Sequence, residues 1–95
     1  MMQIGVIGAG VMGTGLTQDL VAHGFGVVLI DRSEDSLDAA RRDIEGYGRF
    51  SRLLGGGHDG GHDGGYDANV SRVVYSTDLT KVAAADFVVE NITED

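Results

Sequence analysis

Residues 4–13, Ile4-Gly5-Val6-Ile7-Gly8-Ala9-Gly10-Val11-Met12-Gly13, decide the fold. Gln3 to Ile7 is a short β-rich run. Val11 to His23 carries helical spacing, and Met12, Leu16 and Leu20 recur every four residues on the face expected to be buried. The glycines between and inside these elements have separate tasks. Gly8 lets the chain leave the strand in a tight turn. Gly10 has no Cβ, so the backbone there can approach a pyrophosphate. Gly13 lets the new helix pack closely on the strand it came from. The unpaired N–H groups of the helix's first turn point at the same place, and the helix dipole adds positive character to it.

Working outward, Gly24 supplies a stop for this helix, and Val27-Val28-Leu29-Ile30 is an uninterrupted apolar run of the kind found in buried parallel strands. Asp31 follows at once, 18 positions after Gly13, near the spacing of roughly 20 expected for an acid that accepts hydrogen bonds from an adenosine ribose. A carboxylate there repels a 2′-phosphate, which favours NAD over NADP. Arg32 could reach a 2′-phosphate or lay its guanidinium plane on the adenine; with Asp31 present the second role is preferred.

Ser33 is a suitable N-cap for a second helix, with Glu34 and Asp35 matching its dipole and Leu37, Ala40, Ile44 and Tyr47 forming one apolar stripe. Residues 55–68 then form a tract expected to be a flexible loop. It holds Gly56-Gly57-His58-Asp59, Gly60-Gly61-His62-Asp63 and Gly64-Gly65-Tyr66-Asp67, with almost no apolar surface to offset backbone entropy. His58, Asp59, His62 and Asp63 are ligand-type side chains, but a glycine tract holds no preformed tetrahedron, so no metal site is expected. A third strand is expected over Val70 to Ser76, a short helix over Leu79 to Ala85 capped by Asp78, and a fourth strand at Phe87-Val88-Val89. This predicts the N-terminal part of a Rossmann-type α/β fold, a doubly wound parallel sheet of order 3-2-1-4. Asn91, Ile92 and Glu94, just past strand four, then face the crevice that holds Gly8 to Gly13.

Composition narrows the partners. The chain has 95 residues, a net charge of −8, 16 glycines, no proline and no cysteine. The negative balance argues against nucleic acid and anionic membranes, and the missing cysteines exclude disulfides and thiolate chemistry. The glycine-broken N-terminus lacks the form of a signal peptide, and no apolar run is long enough to cross a membrane, so a cytoplasmic location is expected.

The chain resembles the 3-hydroxyacyl-CoA dehydrogenase family over nearly its whole length outside the middle third. The matching stretches are residues 4–15, residues 22–32, Ser76-Thr77-Asp78-Leu79, Ala85 to Asn91, and Glu94. The Met12-Gly13 pair also occurs in 6-phosphogluconate and other β-hydroxyacid dehydrogenases, and Asp31, Thr77-Asp78-Leu79 and the Glu90–Glu94 segment tip the balance. The resemblance implies an NAD-binding Rossmann domain over residues 1–95 and oxidation of the C3 hydroxyl of an acyl thioester in fatty acid metabolism. It implies a diphosphate on Gly8, Ala9, Gly10, Val11, Met12 and Gly13, adenosine ribose on Asp31, and Asn91, Ile92 and Glu94 along the nicotinamide side. It also implies a homodimer for a full-length protein.

Asn91 stands where the family usually has a small residue. The family's catalytic histidine and glutamate have no counterpart among these 95 residues, so no catalytic residue is assigned. The glycine repeat occupies a region the family uses to clasp coenzyme A, and Lys81 is the only lysine. Two alternatives therefore stay open: a dehydrogenase of an acyl group tethered to a carrier protein, and a non-catalytic dinucleotide-binding module. If strand four lies at an uncovered edge, Phe87-Val88-Val89 is expected to make the isolated chain weakly stable or self-associating.

Overall fold

The computed structural model describes residues 2–53 and 69–91, with side chains described up to residue 47 in the first segment. The order is β1 (Gln3–Ile7), α1 (Val11–Ala22), β2 (Gly26–Ile30), α2 (Glu34–Leu53), β3 (Val74–Ser76), a 3-10 helix (Leu79–Ala84) and β4 (Phe87–Glu90). All strand pairs are parallel, in the order β3-β2-β1-β4, with Val6 opposite Leu29 on one side and Val89 on the other. The expected sheet order is therefore found, and its carboxyl ends gather residues 7–10, 30–33, 76–79 and 91 at one edge. The glycine-repeat tract expected to be flexible lies outside the described residues.

The core is built from Ile4, Val6, Val27 and Leu29 of the sheet, Val21 of α1, and Leu37, Ala40 and Ile44 of α2. Three positions of the expected α2 stripe are thus buried, while Tyr47 is exposed. Ser33 caps α2 as expected, its Oγ accepting from the Ser36 N–H at 3.1 Å. Helix α1 stops at Gly24, which takes φ +90°.

Helix α1 corrects the sequence reading. Its buried residues are Gly13, Thr14, Thr17 and Val21; Met12 is 75% exposed, while Leu16 and Leu20 only flank the core. The rotation is set by backbone rather than hydropathy. Gly13 sits hard against the Gly8 carbonyl, and the positions four and eight residues on, Thr17 and Val21, follow it onto the sheet. Thr17 is fully buried and its hydroxyl has no hydrogen-bond partner. Thr17→Val replaces that hydroxyl by a methyl group of the same shape and is expected to raise stability by about 1 kcal/mol in urea denaturation.

The third strand is shorter than expected. Residues 69–70 are helical and residues 71–72 form a turn; Arg72 and Val73 donate back to the Asn69 and Val70 carbonyls, and the Asn69 carboxamide donates to the Val21 carbonyl at 3.2 Å. Val70 and Val73 still pack on the core, so an apolar run read as strand is divided between a helical turn and β3. The element after β3 is a 3-10 helix. Asp78 caps it as expected, accepting from the Thr80 hydroxyl at 2.7 Å and the Thr80 N–H at 3.0 Å. These bonds hold the Asp78 carboxyl below its ordinary range. All four residues of β4 are exposed, Phe87 by 60%.

Candidate dinucleotide site

The turn after β1 is tightly determined. Gly8 adopts φ +107°, a conformation that L side chains rarely reach. Its N–H donates to the Ile30 carbonyl at 2.7 Å, and a Cβ there would come within 3.1–3.3 Å of Asn91. The Ala9 N–H donates to Asp31 Oδ2 at 2.8 Å, and the Thr14 hydroxyl donates to the Ala9 carbonyl at 3.3 Å. Of the six residues that the resemblance assigns to a diphosphate, Gly8 and Ala9 thus have their N–H groups consumed inside the protein. Among the described residues, no hydrogen bond uses the N–H groups of Gly10, Val11, Met12 or Gly13, which open the first turn of α1.

The two helices that begin at this edge of the sheet differ at their N-termini. Helix α2 has the Ser33 cap and acidic Glu34 and Asp35 in its first turn. Helix α1 has glycine at the N-cap, no side-chain cap and no acid in its first turn. The dipole of α2 is thus matched from within, and that of α1 is left for an external anion. A Cβ at Gly10 would meet nothing within 4 Å, so open space adjoins the free amides. Val11 and Met12 are 91% and 75% exposed at its rim.

Beside this opening lies a cleft of about 440 Å³ lined by Ile7, Ile30, Asp31, Arg32, Thr77 and Leu79. That size falls within the usual range for small-molecule sites. Asp31 and Arg32 both line it, and Thr77 and Leu79 were not anticipated as cleft residues. Their position just past β3, at the carboxyl edge of the sheet, is the signal that could have found them. A neighbouring cleft of about 310 Å³ contains Glu34, Asp38, Arg41 and Tyr75. Arg41 lies 4.8 Å from the centre of the Tyr75 ring, and burial, then Glu45, pushes the Tyr75 phenol up to about 12. Its two carboxylates disfavour a phosphate.

Asn91 reaches the glycine turn from the far side of β1. Its N–H donates to the Ile7 carbonyl at 2.7 Å. Its carboxamide nitrogen is buried without a partner, 3.6 Å from where a Cβ on Gly13 would stand. Ile92 and Glu94 lie outside the described residues. Among the described residues, no group of three or more metal-ligating side chains occurs and no helix is long and apolar enough to cross a membrane. The His58/Asp59 and His62/Asp63 pairs also fall outside them.

A parallel 3-2-1-4 sheet with a glycine turn and an open helix N-terminus at its switch point defines a Rossmann-type nucleotide-binding domain. The family model described as "3-hydroxyacyl-CoA dehydrogenase, NAD binding domain" matches residues 3–95, and the chain belongs to this family. A probable 3-hydroxybutyryl-CoA dehydrogenase of Deinococcus radiodurans is 37% identical over 94 residues, covering 98% of this chain and 32% of that protein. The human mitochondrial hydroxyacyl-coenzyme A dehydrogenase is 34% identical over 96 residues, covering 94% and 29%. The crystal structure of 3-hydroxybutyryl-CoA dehydrogenase from Escherichia coli K12 superposes with a TM-score of 0.81 at 31% identity, covering 99% of this chain and 19% of that one. The chain thus spans about a third of the length of the curated relatives it matches. The cofactor of the family domain is NAD.

Proposed function

We propose that this chain holds NAD for the oxidation of the C3 hydroxyl of an acyl thioester, or for the reverse reduction. The carrying observation is the contrast between the two helix N-termini: α1 is open to an anion, whereas α2 is capped and acidic. In this reading the N–H groups of Gly10, Val11, Met12 and Gly13 donate to the diphosphate. Asp31 accepts from the adenosine ribose, and Arg32 covers the adenine in the cleft shared with Thr77 and Leu79. Asn91, Ile92 and Glu94 follow β4 along the nicotinamide side, and the unpartnered Asn91 carboxamide has a donor to spare there. Bound NAD supplies the hydride acceptor.

In this reading the described residues bind and orient, and none of them removes the substrate proton. His23 lies at the far end of α1, about 18 Å along a twelve-residue helix from the glycine turn, with its Nδ1 2.8 Å from the Asp19 carbonyl. A general base must come within hydrogen-bond reach of its proton, and in this reading His23 is not that base. The relatives' names specify coenzyme A thioesters, which favours that substrate class over a carrier-bound acyl group. Homodimerisation of a full-length protein and a cytosolic setting belong to the same reading.

Titration calorimetry with NAD and NADP tests it. Asp31 already accepts two amides and would face the 2′-phosphate, so NAD is expected to bind at least about tenfold more tightly. Equal affinities, or tighter NADP binding through Arg32, would contradict the assignment of Asp31.

A further inference from the structure

We propose that Asp31 is also a positioning residue. Its carboxylate locks the turn after β1 to the turn after β2, so that the ribose and diphosphate parts of the site act as one unit. The inference rests on the NAD reading above and adds a second task to a residue assigned there only as a ribose acceptor.

The geometry is specific. Asp31 Oδ2 accepts from the Ala9 N–H at 2.8 Å, and Oδ1 accepts from the Ser33 N–H at 2.9 Å. The Asp31 N–H donates to the Ser76 carbonyl at 3.2 Å. One partly buried residue thus ties together the ends of β1, β2 and β3. Ala9 is the last residue before the open amides begin, and its carbonyl is held by the Thr14 hydroxyl of α1. The direction in which Gly10 leaves the turn is therefore fixed on one side by Asp31 and on the other by the helix. A carboxylate offers about four acceptor positions. Two are used internally, and two remain for the ribose hydroxyls.

The two tasks have opposite consequences for a ligand without those hydroxyls. If Asp31 only accepts from ribose, removing it costs such a ligand nothing, and the lost negative charge strengthens binding of the diphosphate. If Asp31 also holds Ala9, its removal frees a partly buried donor beside Gly10, misaligns the phosphate-binding amides and weakens binding.

The test compares wild type, Asp31→Ala and Asp31→Asn with two probes by calorimetry. One probe is ADP-ribose; the other is its analogue lacking the 2′- and 3′-hydroxyls of the adenosine ribose. The lock predicts that Asp31→Ala weakens the dideoxy probe about tenfold, the worth of one charge-assisted hydrogen bond. Asp31→Asn keeps the shape and one acceptor, and its loss should be smaller. It also keeps the comparison meaningful if the alanine variant melts without a native transition. Unchanged or tighter binding of the dideoxy probe by the folded variants overturns the lock and leaves the NAD reading standing. Failure of wild type to bind ADP-ribose overturns the NAD reading itself.

Discussion

Gly10→Val is expected to abolish NAD binding while leaving the chain folded. Gly10 has φ −76°, which valine can adopt, and a Cβ there meets no atom within 4 Å. The substitution replaces a tolerated N-cap glycine with a poor one, for about 1 kcal/mol of stability. The added methyl groups fill the open space beside the free amides of residues 10–13, where the diphosphate has to lie for those donors to reach it. Overpacking and the loss of charge-assisted hydrogen bonds together cost about 3 kcal/mol or more, at least a hundredfold in affinity. Calorimetry gives the affinity and a melting curve the stability. Wild-type affinity in the folded variant would place the nucleotide elsewhere.

Gly13→Ala should do the reverse, acting on the fold before the ligand. A Cβ at Gly13 would collide with the Gly8 carbonyl oxygen and stand 2.9 Å from its carbon, both backbone atoms of a turn already fixed by the Gly8 bond to Ile30. No side-chain rotation relieves that contact, so α1 must slide off β1. The expected cost is at least about 3 kcal/mol, a fall in Tm of roughly 12 °C or more for a domain of this size. Gly15→Ala is the internal control. It lies two residues further along the same helix with nothing within 4 Å of its Cβ position, and alanine there should stabilise by about 0.5–1 kcal/mol. Similar melting curves for the two variants would refute the account of how Gly13 sets the rotation of α1.

These two glycines show how far the sequence could be read. Spacing placed Gly10 in the turn between strand and helix and Gly13 where the helix packs on the strand, and the sheet order followed from alternating strands and helices. Asp31 was legible because it ends an apolar run at the right distance from the glycines. The buried face of α1 was not legible. The helix presents Gly13, Thr17 and Val21 to the sheet because a backbone contact sets its rotation, and hydropathy favoured Met12 and Leu16 instead. The division of Val70 to Ser76 between a helical turn and β3 was hidden because periodicity does not tell strand from helix in a short apolar run.

The site was partly readable in the same sense. Residue types and spacing identified the loop, but only coordinates reveal that the Gly8 and Ala9 amides are already bonded to Ile30 and Asp31. Thr77 and Leu79 come from a segment whose nearness to Asp31 depends on β3 pairing with β2. The apolar character of β4 was plain from Phe87-Val88-Val89, and all three residues are exposed. Self-association of this chain remains the expected consequence of that edge, measurable by sedimentation.

The central claim is that the N–H groups at the start of α1 take the diphosphate of NAD. Titration of the ¹⁵N-labelled chain with NAD, followed by amide resonances, tests it residue by residue. The account predicts that the signals of Gly10, Val11, Met12 and Gly13 move most and saturate together with that of Asp31. Saturable shifts confined to other residues, with those four unmoved, would contradict it.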